Sequence, residues 1–132
     1  MELLPVRLSP GDDLRRALEA AGIDGAFVVS GIGSLRDVLL RFAGVSKASL
    51  LPGDFEIISL AGAITADGAH LHMAVSDSTG KVFGGHVVYG NTIRTTAEIL
   101  LARTPGWHLS RQFDAATGYP ELVVAFTGEK RG

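Results

Sequence analysis

Apolar and polar residues recur along this chain in two rhythms, and the first to appear is helical. A short extended run, Leu3 to Leu8, leads into Ser9-Pro10-Gly11-Asp12. That stretch combines a capping hydroxyl, a proline suited to a first helical turn and an acid for the positive helix end, so a helix is expected to start there. Leu14, Ala17, Leu18 and Ala21 then fall at i, i+3, i+4 and i+7 as one apolar stripe, and Gly22 is placed to end it in a left-handed turn. From Ala26 the rhythm shortens to that of strands: Ala26 to Ser30, Leu35 to Phe42, Phe55 to Ile64, His70 to Ser76 and Lys81 to Tyr89, separated by Gly, Pro, Asp and Ser clusters. Thr95 and Glu98 have capping-box spacing, but Ile93, Thr95 and Thr96 are β-branched and favour a strand. Trp107 to Phe113 alternates bulky apolar with polar residues, and Leu122 to Phe126 is a last apolar run suited to closing a sheet. Ala43 to Asp54, which contains Lys47, Pro52 and Gly53, shows neither rhythm; it is expected to be a mobile loop over a site or a neighbouring subunit.

Composition adds limits to this picture. A chain of 132 residues with 46% hydrophobic content fits one globular domain over residues 1–132, with its core in about 6–126 and a short charged tail in 127–132. No tract approaches the roughly 18 unbroken apolar residues of a membrane span, so no membrane partner is expected. Cysteine is absent, which excludes disulfides and thiolate metal sites. The amino-terminal MELLPVRLSPGDD has no basic region leading into an apolar run, so no signal peptide is expected and the expected compartment is the cytoplasm. A net charge of −2 with no basic block weighs against phosphate-driven nucleic-acid binding by a single chain. Glu129, Lys130 and Arg131 read as a solvated end.

The chemistry concentrates in HLHMAVSDSTGKVFGGHV, residues 70 to 87, which holds three of the four histidines. On a strand His70 and His72 point the same way, about 7 Å apart at roughly 3.4 Å per residue. The third imidazole depends on register. A three-residue Ser78-Thr79-Gly80 loop with Gly80 left-handed pairs Asp77 with Lys81 and sets His72 opposite His86. A four-residue loop would turn His86 to the other face unless Gly84-Gly85 forms a compensating bulge. With all three on one face, they form a metal site of His70, His72 and His86 with an open fourth position, the arrangement of catalytic zinc. Without thiols a first-row divalent ion is the natural cofactor, zinc ahead of iron, nickel or manganese. Glu56 or Glu98 is a candidate further ligand or general base, and His108, beside Trp107, reads as a core-edge or surface residue.

Six segments in order, RLSPGDDLRRALEAAGI, VVSGIGSLRDVLLRF, DFEIISLAGAI, GAHLHMAVSDSTGKVFGGHV, TTAEILL and RQFDAATGYPELVV, resemble the plant-and-prokaryote-conserved (PPC) domain from about residue 6 to 124. The resemblance implies an α/β domain of the α+β type, with a central, mostly antiparallel sheet flanked by a few helices and assembled as a homotrimer. It also implies a strand at Thr95 to Leu101 and a metal cluster at His70, His72 and His86. The family's stand-alone prokaryotic members are commonly labelled DNA-binding, a label inherited from plant proteins that carry an AT-hook; that element is absent here. The hairpin is also similar to the zinc segment of acetolactate decarboxylases, matched at Gly84, Gly85 and His86. That family needs an arginine and carboxylates as well, for which Arg94, Arg41, Glu56 and Glu98 are available, making Glu56, Glu98 and Arg94 the catalytic candidates.

Other motifs carry less. Gly31-Ile32-Gly33-Ser34 lacks the third glycine of a dinucleotide fingerprint and is expected to be a structural turn. Gly118-Tyr119-Pro120-Glu121 after Asp114 also reads as a turn. Arg36, Arg41 and Arg94 fall on expected strands, exposed, paired with acids, or with one of them facing the site as an anion binder. Two functional classes follow: a trimeric binding or regulatory module whose DNA contact is weak and salt-dependent, or a metal-dependent enzyme of decarboxylase, lyase or hydrolase type acting on a small oxygen-rich substrate.

Overall fold

The computed structural model describes residues 1–21 and 25–128, so the expected helix end at Gly22 and the charged residues 129–131 lie outside the described residues. In chain order the elements are β1 (Glu2–Leu8), α1 (Leu14–Ala20), β2 (Ala26–Arg41), β3 (Ser49–Thr65), β4 (Gly68–Ser76), β5 (Val82–Val87), β6 (Thr92–Arg103), β7 (Trp107–Asp114) and β8 (Tyr119–Phe126). Strands β1 to β6 form one antiparallel sheet in the order β1-β6-β2-β3-β4-β5, and β7 pairs with β8 as a separate hairpin. The expected antiparallel sheet is present, strand at Thr95 included; among the described residues its helical cover is the single seven-residue α1.

Strand β2 organises the sheet. One of its edges pairs with β3 for most of its length, whereas the other takes two partners in succession: β6 from Ala26 to Arg36, then β5 at Leu40 and Arg41. The change of partner follows a β-bulge between Arg36 and Val38, where Asp37 adopts φ +58°. Aspartate tolerates that left-handed conformation better than most residues, and its Oδ1 accepts a 2.9 Å hydrogen bond from the Gly53 N–H. The bulge bends β2, so that β3, β4 and β5 curl around and return to it.

Leu39 falls in the gap between the two partners, and a side chain takes the place of the missing strand. Asn91, fully buried, accepts from the Leu39 N–H at 2.9 Å and donates to the carbonyl oxygens of Leu39 at 2.9 Å and Val88 at 3.1 Å. The curled sheet encloses Leu35, Leu40, Ile64, Leu71, Val75, Val87 and Leu101, and α1 adds the fully buried Leu14 and Leu18.

Several local expectations are corrected. The helix begins at Leu14, not at Ser9-Pro10: the Asp12 carboxylate accepts from the Ser9 N–H and Gly11 takes φ +89°, so those residues turn the chain and Asp13 becomes the cap. Ala21 sits at the exposed C-cap and leaves the apolar stripe to Leu14, Ala17 and Leu18. Gly31-Ile32-Gly33-Ser34 is strand interior, which joins two expected strands into β2. Its glycines serve packing: a Cβ on Gly33 would lie 2.8 Å from the Ala97 Cα, and one on Gly31 3.0 Å from the Leu60 Cβ. Residues 49–54, expected as loop, are the start of β3, because Pro52 and Gly53 lie across from the Asp37 bulge instead of breaking the strand. The run 122–126 pairs with β7 alone and leaves the main sheet unclosed by it. The second expected turn also shifts: Tyr119 and Pro120 already belong to β8, opposite Asp114 and Phe113.

Because Asn91 is buried and fully bonded, replacing it with alanine leaves the Leu39 N–H and carbonyl without partners. Asn91→Ala is expected to lose about 3 kcal/mol of stability by chemical denaturation.

Candidate metal centre

On β4 the residues Ala69, Leu71, Met73 and Val75 are buried, so strand alternation turns His70 and His72 to the outer face. The turn that follows decides where the third ring lands. Gly80 takes φ +85° and the Asp77 N–H donates to the Lys81 carbonyl at 2.9 Å, which makes Ser78-Thr79-Gly80 a three-residue loop. The Asp77 Oδ1 accepts from the Thr79 N–H, the Thr79 hydroxyl and the Lys81 N–H, and these hydrogen bonds, that of the hydroxyl first, hold its carboxyl below the ordinary aspartate range. The resulting register places His72 directly opposite His86. The pair Gly84-Gly85 forms no bulge, and Gly85 serves closure: β5 comes so near β2 that a Cβ on Gly85 would stand 2.9 Å from the Arg41 carbonyl oxygen.

The three rings converge, with centroids 4.8 Å apart for His70 and His72, 5.3 Å for His70 and His86, and 5.7 Å for His72 and His86. One ligand nitrogen from each lies within 4.8 Å of the others. A tetrahedral ion held at about 2.1 Å by each would need nitrogens roughly 3.4 Å apart, so the rings stand slightly wider than a closed set. The donor set otherwise suits a cation. His86 Nδ1 is buried without a hydrogen-bond partner, a lone pair or N–H left unsatisfied by protein. Burial, then Arg41, pushes the His86 imidazole down to about 4, and burial, then His72, lowers that of His70. Both are therefore neutral at pH 7, the form that ligates metal.

The other expected site residues lie apart from the rings. Glu56 pairs with Ser76, four residues and about 13 Å along β4 from His72. Glu98 and Arg94 are on β6, separated from β4 by β2 and β3, and Arg94 faces Asp54 at 3.3 Å. Arg41 is the expected strand arginine that does reach the site, paired in register with His86. His108 pairs with Ala125 on the hairpin, away from the cluster.

Three charges around the imidazoles had no local signal in the sequence. Arg15 of α1 acts on His70 and His86, while Arg111 and Glu121 of the β7–β8 hairpin act on His70 with opposite signs. The hairpin is held against the sheet by Leu109, 2% exposed, and by a 2.9 Å bond from the Arg111 N–H to the Asp67 carboxylate. Between hairpin and sheet lies an open concavity of about 450 Å³, with His70 and His72 beside it, the small Ala61 and Ala63 on its floor, and Phe27, Arg111 and Leu122 around it.

Comparison with known proteins agrees with this architecture. A bifunctional protein GlmU of Synechococcus sp. (strain JA-2-3B'a(2-13)) is 44% identical over 94% of this chain, which spans only 20% of that relative's length. A hypothetical protein from Salmonella enterica has a solved structure similar at TM-score 0.90 and 40% identity, covering 95% of this chain and 94% of its own. A metal-containing protein from Archaeoglobus fulgidus is similar at TM-score 0.79 and 25% identity, covering 93% of this chain and 94% of its own. The model of the Plants and Prokaryotes Conserved (PCC) domain matches residues 1–105, from β1 through β6, and this chain belongs to that family.

Proposed function

We propose that this protein is a cytoplasmic homotrimer in which each chain binds one divalent ion, zinc first among candidates, through His70, His72 and His86, and presents it to a small-molecule ligand. The observation that carries this reading is the convergence of three ligand nitrogens within 4.8 Å on one outward face. The Archaeoglobus relative, described as metal-containing, supports it. A divalent ion here would supply Lewis acidity toward an oxygen-bearing group of the ligand. The chain's own contribution is to keep two imidazoles neutral by burial, to fix the third opposite His86 by strand register, and to leave a concavity beside them.

Self-association is supported by the apolar side chains left outside the core. Ile32 and Ile58 of the main sheet are 51% and 53% exposed, and Phe113 and Tyr119 of the hairpin 72% and 69%. Apolar side chains this exposed are available to pack between chains. No helix among the described residues is long and apolar enough to cross a membrane. Contact with nucleic acid, which the family resemblance raises, would be weak and salt-sensitive in a chain of net charge −2. The metal reading is therefore the one we favour.

Three outcomes are expected. Protein purified without an immobilised-metal column should hold close to one divalent ion per chain by elemental analysis, and His72→Ala should hold at least about tenfold less; equal contents would refute the ligand assignment. Light scattering should give the mass of three chains. Stability of the metal-free protein should depend on acid in a specific window. Folded-state values for His70 and His86 lie below the ordinary 6.5, that of His86 at about 4, so the unfolded chain takes up protons first as pH falls. The denaturation midpoint should therefore be level above pH 6.5 and fall between about 6.5 and 4, with a shallower fall in His86→Asn.

A further inference from the structure

The surroundings of the imidazoles are unusually cationic for a chain of net charge −2. Arg15 reaches the residue next to His86, Arg41 pairs in register with His86, and Arg111 lines the concavity with His70 and His72. The three arginines are not equivalent. Arg15 is already engaged, 3.6 Å from the Glu19 carboxylate, over the Tyr89 ring, and donating to the Val87 carbonyl at 3.2 Å. Arg41 and Arg111 form no ion pair with any described acid. Arg111 borders the concavity whose floor is apolar, and His70 and His72 border it as well. A volume of about 450 Å³ lies in the range that takes a metabolite-sized molecule.

We infer that the concavity binds a small carboxylate with a compact apolar body, its anionic head between Arg111 and the imidazole cluster and its apolar part over Ala61 and Ala63 against Phe27 and Leu122. The inference rests on the metal reading only for the partner at the imidazole end of the head; the guanidinium end stands by itself. Arg111 suits the task because its planar fork can take a carboxylate in two parallel hydrogen bonds, and because its guanidinium forms no ion pair among the described residues. The alanines suit it because side chains any larger at 61 and 63 would fill the floor. Gly62 between them serves the β3–β4 pairing itself: it takes φ +147°, and a Cβ there would collide with the His70 carbonyl oxygen. Arg111 and Leu122 lie on the β7–β8 hairpin, beyond the residues 1–105 that match the family model.

Calorimetric titration of the full-length, metal-loaded protein tests this with 2-hydroxy-3-methylbutanoate and its uncharged amide as probes. The acid should bind at least about tenfold more tightly than the amide. Arg111→Gln should remove most of that preference with the metal content unchanged, and Leu122→Trp, which fills the concavity without altering charge, should weaken the acid at least about tenfold. Equal binding of acid and amide, no binding of either to metal-loaded protein, or unchanged selectivity in Arg111→Gln would overturn the inference. Elemental analysis of the same samples separates the two readings. If native protein and His72→Ala hold equal metal while Arg111→Gln still abolishes acid selectivity, the anion site stands and the metal assignment falls.

Discussion

At Leu39 the edge of β2 has already lost β6, whose Thr92 faces Arg36, and has not yet met β5, whose Val87 faces Leu40. A buried backbone N–H and carbonyl without partners would cost several kcal/mol together, enough to matter in a domain of this size. Asn91 removes that cost by offering an amide group in the place of a strand. The same residue's carbonyl accepts from the Leu14 N–H at 2.9 Å, which ties the start of α1 to the junction. The return of β5 to β2, and the seating of the helix over the core, thus meet at one residue, through its side chain and its backbone carbonyl.

The location of the chemistry follows from that closure. Once β4 commits Leu71, Met73 and Val75 to the core, its histidines have no choice of face, and once Gly85 lets β5 approach the Arg41 carbonyl, Arg41 is delivered to the imidazole of His86. Electrostatics then acts in one direction. Burial and neighbouring guanidinium groups both disfavour a protonated ring at 70 and 86, so His70 and His86 stand as neutral donors amid positive charge. A divalent cation bound there adds to that charge, and the combination favours an anionic ligand over a neutral one.

How much of this was legible in the sequence depended on whether a feature was local. The period-two pattern of β4, most of the apolar stripe of α1 and the Asp77 to Lys81 turn are each decided within a few residues, and each was readable, the last as one of two loop lengths, of which the one with a left-handed Gly80 is present. Glycine misled wherever its purpose was contact and not conformation. Gly31 and Gly33 looked like a turn, but their backbones are extended and their missing Cβ atoms make room for Leu60 and Ala97. Pro52 and Gly53 looked like a break because the bulge they oppose is set fifteen residues earlier on another strand. Arg111, Arg15 and Glu121 were invisible as site residues, since only the docking of the hairpin and of α1 brings them near the histidines. Glu56 and Glu98 were proposed from composition, and composition carries no distance.

The imidazole cluster is also poorly explained as a device for stability. Valine or threonine at 70, 72 and 86 would keep the strand pattern and satisfy the pleat, as the buried neighbours at 71, 73 and 87 do the work of the core. Histidine instead leaves Nδ1 of residue 86 buried without a partner, and its depressed proton affinity costs the isolated chain stability as pH falls below about 6.5. A chain whose sequence and fold agree nearly everywhere else departs from that agreement at three convergent rings, and such departures are expected where a site is being held ready. Under the proposed metal reading a cation would answer both: a ligated ring would no longer be an idle polar group, and a low proton affinity would leave fewer protons to compete for the ligand positions. Features that weaken the fold as a protein alone would then strengthen it as a metal complex.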